Sequence, residues 1–235
     1  MSEIYTMIMN KALYLLLLGF FCVSFANAQE FSFGIKGGAN YVMGGQITGN
    51  SSNGLYYDGT VEADSKFGFH GGAFFEVRFG KFLLRPEFIY SSMETEFQFP
   101  KATSIYAVDK ISVPLLFGYN VWGPIDIYAG PAYQNILDSS LEGTEPPNQV
   151  IVAQNTPLAA QAGIKASFGR FELDLRYDRS LASEEPMEID IVNSDYGINR
   201  ATFDDTRLNQ FLISLSFKIF DSSANPGRRK GGCYF

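Results

Sequence analysis

Cysteine is almost missing: Cys22 and Cys233 are the only two in 235 residues. Cys22 falls in a stretch that reads as a leader, so the mature chain keeps one thiol and cannot form an internal disulfide. Packing and strand pairing must hold the fold instead. Histidine is rarer still, with His70 alone. One histidine without a thiol pair cannot supply the usual zinc ligands. A lipid hydrolase would need a His–Ser pair at the lipid face, and nothing in the sequence places a serine beside His70. Basic residues are few, 18 Lys and Arg against 25 Asp and Glu, for a net charge of −7. The one basic cluster is Arg228-Arg229-Lys230, which reads as a solvated tail. That balance argues against nucleic acid, whose phosphates are neutralised by clustered cations. Beyond residue 28 no apolar run approaches ~18 residues, which excludes helical membrane spans. The expectation is a protein that is not an enzyme and uses no cofactor or metal.

Residues 1–28 are expected to be an address rather than structure. Lys11 precedes the apolar run Ala12–Phe25, and Ala26-Asn27-Ala28 gives the small–x–small cleavage pattern before Gln29. Glu3 is unusual in such a leader, so Met9 is an alternative start. Cys22 has no small residues before it, against a lipoprotein signal. A membrane-anchoring helix is the other reading, but the run is short for ~30 Å of hydrocarbon.

What the chain has in quantity is alternation. In F-E-L-D-L-R-Y-D, Phe171, Leu173, Leu175 and Tyr177 fall on one face and Glu172, Asp174, Arg176 and Asp178 on the other. The same period of two begins at Phe31, with Lys36 and Asn40 on the polar side, and recurs to give eight strands. Tight turns stand at Gly80-Lys81, Val121–Pro124 and Gly169-Arg170. Long polar connections span 42–66, 93–109, 138–156 and 181–206. Long and short connections alternate, as in outer-membrane barrels with tight periplasmic turns and long extracellular loops. The composition agrees: aromatics make up 15%, charged residues 18%, and glycine numbers 23, with mean hydropathy −0.02.

The alternation fits either a water-soluble barrel with an apolar interior or a membrane barrel with a polar one. The apolar face holds no Asp, Glu, Lys or Arg in any of the eight strands. A Lys or Arg there would cost ~2–4 kcal/mol at a bilayer midplane. The opposite face holds Lys36, Glu76, Arg78, Arg85, Glu87, Asp126, Lys165, Glu172, Asp174, Arg176 and Lys218. So many Phe side chains would also overfill the interior of a soluble eight-stranded barrel. Aromatics gather where strands meet turns: Phe79, Phe82, Tyr119, Trp122, Phe168 and Phe171 at the short turns, Tyr41, Phe67, Tyr90, Tyr133 and Tyr177 near the long loops. Two such girdles would flank a lipid band about 25 Å tall.

The stretches G-I-K-G-G-A-N-Y (34–41), L-R-P-E-F-I-Y-S (84–91), I-S-V-P-L-L-F-G-Y (111–119), I-Y-A-G-P-A-Y (127–133) and A-G-I-K-A-S-F-G-R-F-E-L-D-L-R-Y (162–177) carry a family likeness. In their order and spacing the chain resembles the PorT-like outer-membrane β-barrel family from Phe31 to Phe220. The resemblance implies an outer-membrane barrel, with a link to protein secretion across the envelope in some members. It transfers no functional residue.

The sequence therefore predicts an all-β, eight-stranded antiparallel up-and-down transmembrane β-barrel over 29–220, with short periplasmic turns, four long extracellular loops and a periplasmic tail, 221–235, disordered or loosely held. The eleven charged residues are six basic and five acidic, and read as an interlocked network plugging the lumen; a narrow path for ions or small solutes is the alternative. His70 joins that face, near Glu76 on the same strand. The acidic loops, with Asp58, Glu62 and Asp64 in the first, Asp138, Glu142 and Glu145 in the third and Glu184, Glu185, Glu188, Asp190, Asp195, Asp204 and Asp205 in the fourth, read as solubilising; a cation or partner site is the other reading, without Ca²⁺-loop spacing. Met187, Ile189 and Ile191 alternate with Glu188 and Asp190, which suggests a hairpin in the fourth loop as a recognition surface. Expected partners are outer-membrane lipid and a protein at the extracellular loops or periplasmic rim, with a monomeric chain. A soluble periplasmic ligand-binding barrel is the remaining rival.

Overall fold

The computed structural model describes residues 29–50, 57–145, 157–181, 186–204 and 209–224. The expected signal peptide, both cysteines, the basic triplet and most of the tail lie outside the described residues, as do Glu184, Glu185, Asp205 and the middle of the third loop. Along the chain come β1 (Gln29–Met43), β2 (Gln46–Gly49), β3 (Thr60–Ser65), β4 (Phe67–Phe79), β5 (Phe82–Gln98), β6 (Thr103–Trp122) and β7 (Ile125–Leu141). Then follow β8 (Leu158–Phe168), β9 (Phe171–Ser180), β10 (Met187–Asp190), the single-turn helix α1 (Asn193–Tyr196), β11 (Arg200–Asp204) and β12 (Asn209–Asp221).

Eight strands close an antiparallel up-and-down ring in the order β1-β4-β5-β6-β7-β8-β9-β12, with β12 back on β1. Closure matters because a sheet without edges pairs every backbone group in a medium that offers no water. The three tight turns each hold a glycine at positive φ: Gly80 at 61°, Gly123 at 50° and Gly169 at 61°. L side chains rarely take that conformation, so these glycines let the strands reverse without strain.

The ring turns its apolar residues outward. Phe31, Phe33 and Ile35 on β1, Phe117 on β6, Leu173 and Leu175 on β9, and Ile213 and Leu215 on β12 are all exposed. Such a band would be unfavourable in water and is what hydrocarbon requires. All eleven aromatics named for the two girdles sit on outward positions of the ring. At the short-turn end Phe82 meets Tyr119 at 5.2 Å and Phe171 meets Phe217 at 5.3 Å; at the other end Tyr41 meets Phe67 at 5.4 Å and Tyr177 meets Phe211 at 4.9 Å.

The loops differ from expectation. Residues 93–109 are not an irregular connection, because β5 and β6 run on as a ladder from Met93↔Val108 to Gln98↔Thr103. The first connection holds β2 and β3, and the fourth holds β10, α1 and β11, where β10 and β11 form the hairpin expected around Met187, Ile189 and Ile191. These short strands prolong the ring: β3 pairs with β5, β2 with β3, β11 with β2 and β10 with β11. The bridge Thr144↔Ile191 returns β10 to the end of β7. Above the long-loop girdle the barrel thus continues as a seven-member circuit from which β8 has dropped out. Its polarity is inverted, with Glu94, Glu96 and Glu62 outward and an apolar core inside that includes Ile47, Met93, Phe97, Tyr106, Ile198 and Phe203. The start of the tail also differs. Asp221 is still in the ladder opposite Ser32, and Ser222 Oγ accepts the Phe31 N–H at 2.9 Å.

Candidate functional site

The polar face of the ring points inward, so the strand pattern alone gathers the charged side chains into the lumen. Arg85, Arg176, Glu172, Glu87, Lys36, Lys165, Asp174, Asp126 and Glu76 are buried, and Lys218 sits at the short-turn rim. Ion pairs join all eleven of the charged residues singled out in the sequence into one connected set. Residues far apart in sequence meet because the ring wraps: Arg85 lies 87 positions from Glu172 and Arg176 lies 89 from Glu87.

Arg85 is the lower hub. Its Nε donates to Glu87 at 2.6 Å, and its Nη1 donates to Glu172 at 2.6 Å and Glu76 at 3.0 Å. The guanidinium lies 3.7 Å from the centre of the Phe74 ring, an added cation–π contact. Arg78 grips Asp126 with both Nη atoms at 3.1 and 2.7 Å, a fork geometry that a lysine could not reproduce. Lys165 bridges Glu76 and Glu172, and Lys218 reaches Glu172 at 3.2 Å. Arg176 is the upper hub, holding Glu87 at 2.8 and 3.1 Å and Asp174 at 3.1 Å, with Lys36 beside the same two acids. Tyr128 donates to Asp174 at 2.6 Å and accepts from Arg176 Nε at 3.0 Å.

Every one of the five carboxylates faces at least two cations. Burying an ion costs several kcal/mol, and attraction offsets that only with good geometry and satisfied partners. The lumen approaches this condition by sharing each charge among several opposite ones, leaving one terminal nitrogen of Arg85, Nη2, buried without a hydrogen-bond partner.

Two further charges belong here that the sequence did not single out. Lys110 reaches Asp178 at 3.1 Å, and Gln134 and Gln210 also donate to that carboxylate. Asp178 was already visible on the polar face of its strand. Lys110 was hidden because it borders the stretch 93–109, which reads as a polar connection.

His70 has a neighbour that the sequence did not reveal. Its Nε2 lies 2.7 Å from Ser214 Oγ, so the expectation that no serine stands beside it is corrected. Gly38 pairs with His70 on one side and Ser214 on the other, and its missing side chain leaves room for the bond to pass over β1. A Cβ at Gly38 would strike the Ile213 carbonyl oxygen, which reserves the position for glycine. Both partners face the lumen and are almost sealed, at 3% and 1% exposure. A lipid substrate has no approach to this pair, so the contact reads as structural. Glu76 points into the lower hub instead. Among the described residues no group of His, Cys, Asp and Glu could hold a metal ion.

The family model described as outer membrane protein beta-barrel domain matches residues 26–185. Among solved structures, the outer membrane protein OprG from Pseudomonas aeruginosa is similar at 14% identity, over 82% of this chain and 96% of that one, with a TM-score of 0.47. Ail, the attachment invasion locus protein of Yersinia pestis, in complex with the heparin analogue sucrose octasulfate, is similar at 11% identity, over 81% and 99%, with a TM-score of 0.38. Neisserial surface protein A is similar at 12% identity, over 80% and 99%, with a TM-score of 0.38. None of the three carries a function over to this chain. No curated protein matches it.

Proposed function

We propose, from the premise that this chain belongs to the outer membrane protein β-barrel domain family, that it is a non-catalytic structural or interaction component of the envelope whose lumen is plugged. The observation that carries this reading is the single ion-pair network, with Arg85 and Arg176 as hubs, filling the level where an open pore would need a path. An eight-stranded barrel has room for little more than its own side chains. The long-loop end then faces outward, presenting the polar rim of the upper circuit, and the short turns face the periplasm. Residues 1–28 serve as the cleaved export signal. The resemblance to PorT-like proteins supports a link to secretion, with the partner protein engaged at the extracellular end or the periplasmic rim.

Purified protein in planar bilayers tests the plug. Wild type is expected to show no conductance above the bare bilayer, while migrating as a folded band that shifts on boiling, because a closed barrel resists SDS until heated. Steady conductance from the folded band would replace this reading with a narrow channel.

A further inference from the structure

We infer that the barrel is closed twice, and that the upper circuit is a fixed roof sealing the outer mouth independently of the charged layer. This rests on the plugged-lumen reading. The roof is built, not draped. Its walls are the ladders of β5, β6 and β7 continued past the girdle, and its far side is bolted on by backbone bonds. The Glu145 N–H donates to the Asp190 carbonyl at 2.8 Å and the Val192 N–H to the Gly143 carbonyl at 2.9 Å. Inside, Phe203 packs edge-on against Phe97 at 5.5 Å and Tyr106 at 5.2 Å.

Helix α1 covers the top. Lys101 Nζ donates to the Asn193 and Ser194 carbonyls at 3.2 and 3.3 Å, and the Lys101 N–H to the Tyr196 carbonyl at 3.2 Å. Tyr196 then stands edge-on to Phe99 at 6.1 Å. An ion that passed the charged layer would still meet a packed apolar layer, and narrow apolar constrictions block ions by excluding water. The two closures use opposite chemistry, so neither depends on the other.

Bilayer conductance separates them, with each form first shown to be folded by its heat-dependent gel shift. The charged layer is emptied without net charge change by combining Arg85→Ala, Glu87→Ala, Glu172→Ala and Arg176→Ala. The roof is wetted by Phe97→Asp with Phe203→Asp. Only the combination of both sets is expected to conduct. Conductance from the emptied lumen under an intact roof, equal to that of the combination, overturns the inference, and so does a folded combination that stays silent. Conductance from wild type or from the wetted roof alone removes the plugged-lumen reading instead. Should the emptied lumen not fold, thiol labelling reads the roof directly. Ser91 points inward at 1% exposure, directly opposite Lys110 at the top of the charged layer and below the apolar one. In a Cys233→Ser background, Ser91→Cys should react with an impermeant maleimide about tenfold more slowly under the intact roof than beside Phe97→Asp/Phe203→Asp. Equal rates would overturn the roof.

Discussion

One strand, β5, passes through both interiors of this molecule, and its two halves are opposites. In its lower half Arg85 and Glu87 point inward while Phe82, Leu84 and Phe88 point outward; in its upper half Met93 and Phe97 point inward while Glu94 and Glu96 point outward. The pleat never slips, since Met93, Thr95 and Phe97 continue the inward row of Arg85 and Glu87. What changes between Tyr90 and Glu94 is the surroundings. Lipid forces the outside to be apolar and leaves polar residues to line the lumen, whereas water restores the ordinary arrangement of apolar inside and polar outside. The lower interior is stabilised by paired charges whose loss is costly, and the upper by apolar packing.

The largest effect is therefore expected from a single break in the charged interior. Arg85→Ala would leave Glu76, Glu87 and Glu172 each short of a cation and should cost about 3–5 kcal/mol, read as a lower unfolding midpoint in detergent and a gel shift at lower temperature. Unchanged stability would mean that water, not the guanidinium, carries those acids, and the contrast with the apolar interior would fail. Next comes Phe97→Ala in the upper circuit. Removing a fully buried ring should cost about 3 kcal/mol, but locally: amide exchange should speed up in β2, β3, β10 and β11 while the gel shift stays where it was. Loss of the gel shift would show that the two interiors are one cooperative unit.

A smaller effect locates the boundary itself. Phe88 and Glu94 share the outward face of β5 and stand on either side of Tyr90. Phe88→Arg should cost about 2 kcal/mol by placing a cation in lipid, while Glu94→Arg should stay within about 0.5 kcal/mol. Folding titrations in lipid vesicles measure both. Equal costs would move the membrane edge above Glu94.

The same boundary explains what could be read in the sequence. The eight-stranded ring was legible because lipid leaves an unbroken apolar row, as in Phe211, Ile213 and Leu215. Of the upper circuit only the hairpin of the fourth loop was, because at residues 93–97 the apolar residues switch to the other face, and the end of the lipid-facing row looks like the end of a strand. The run M-E-T-E-F-Q-F held the signal as the same period in opposite phase. Which charges face the lumen was likewise legible from period two, Lys110 excepted. Who pairs with whom was not, because Lys110 and Asp178 are 68 positions apart and His70 and Ser214 are 144 apart. Only the wrapping of the ring brings them together, and the absence of a side chain at Gly38 left no mark that singled it out.

The smallest prediction probes whether the upper interior is dry. Tyr106 lies above the membrane-spanning part of β6, buried against Phe203, and its hydroxyl has no hydrogen-bond partner. Tyr106→Phe removes that unpaired group and keeps the ring, so it should stabilise the upper circuit by about 1 kcal/mol. Burial also pushes the phenol above its ordinary value of 10.0, because the charged form is penalised in apolar surroundings. The unfolded chain loses this proton at 10.0 while the folded chain holds it, so the stability carried by the neutral phenol is fully present below that pH and is lost as pH rises above it. Exchange-detected opening of the upper circuit, followed across that range, should therefore diverge between wild type and Tyr106→Phe, with the variant holding on longer. A variant that is instead less stable at neutral pH would mean that water reaches the hydroxyl, and the two interiors would differ less than their side chains suggest.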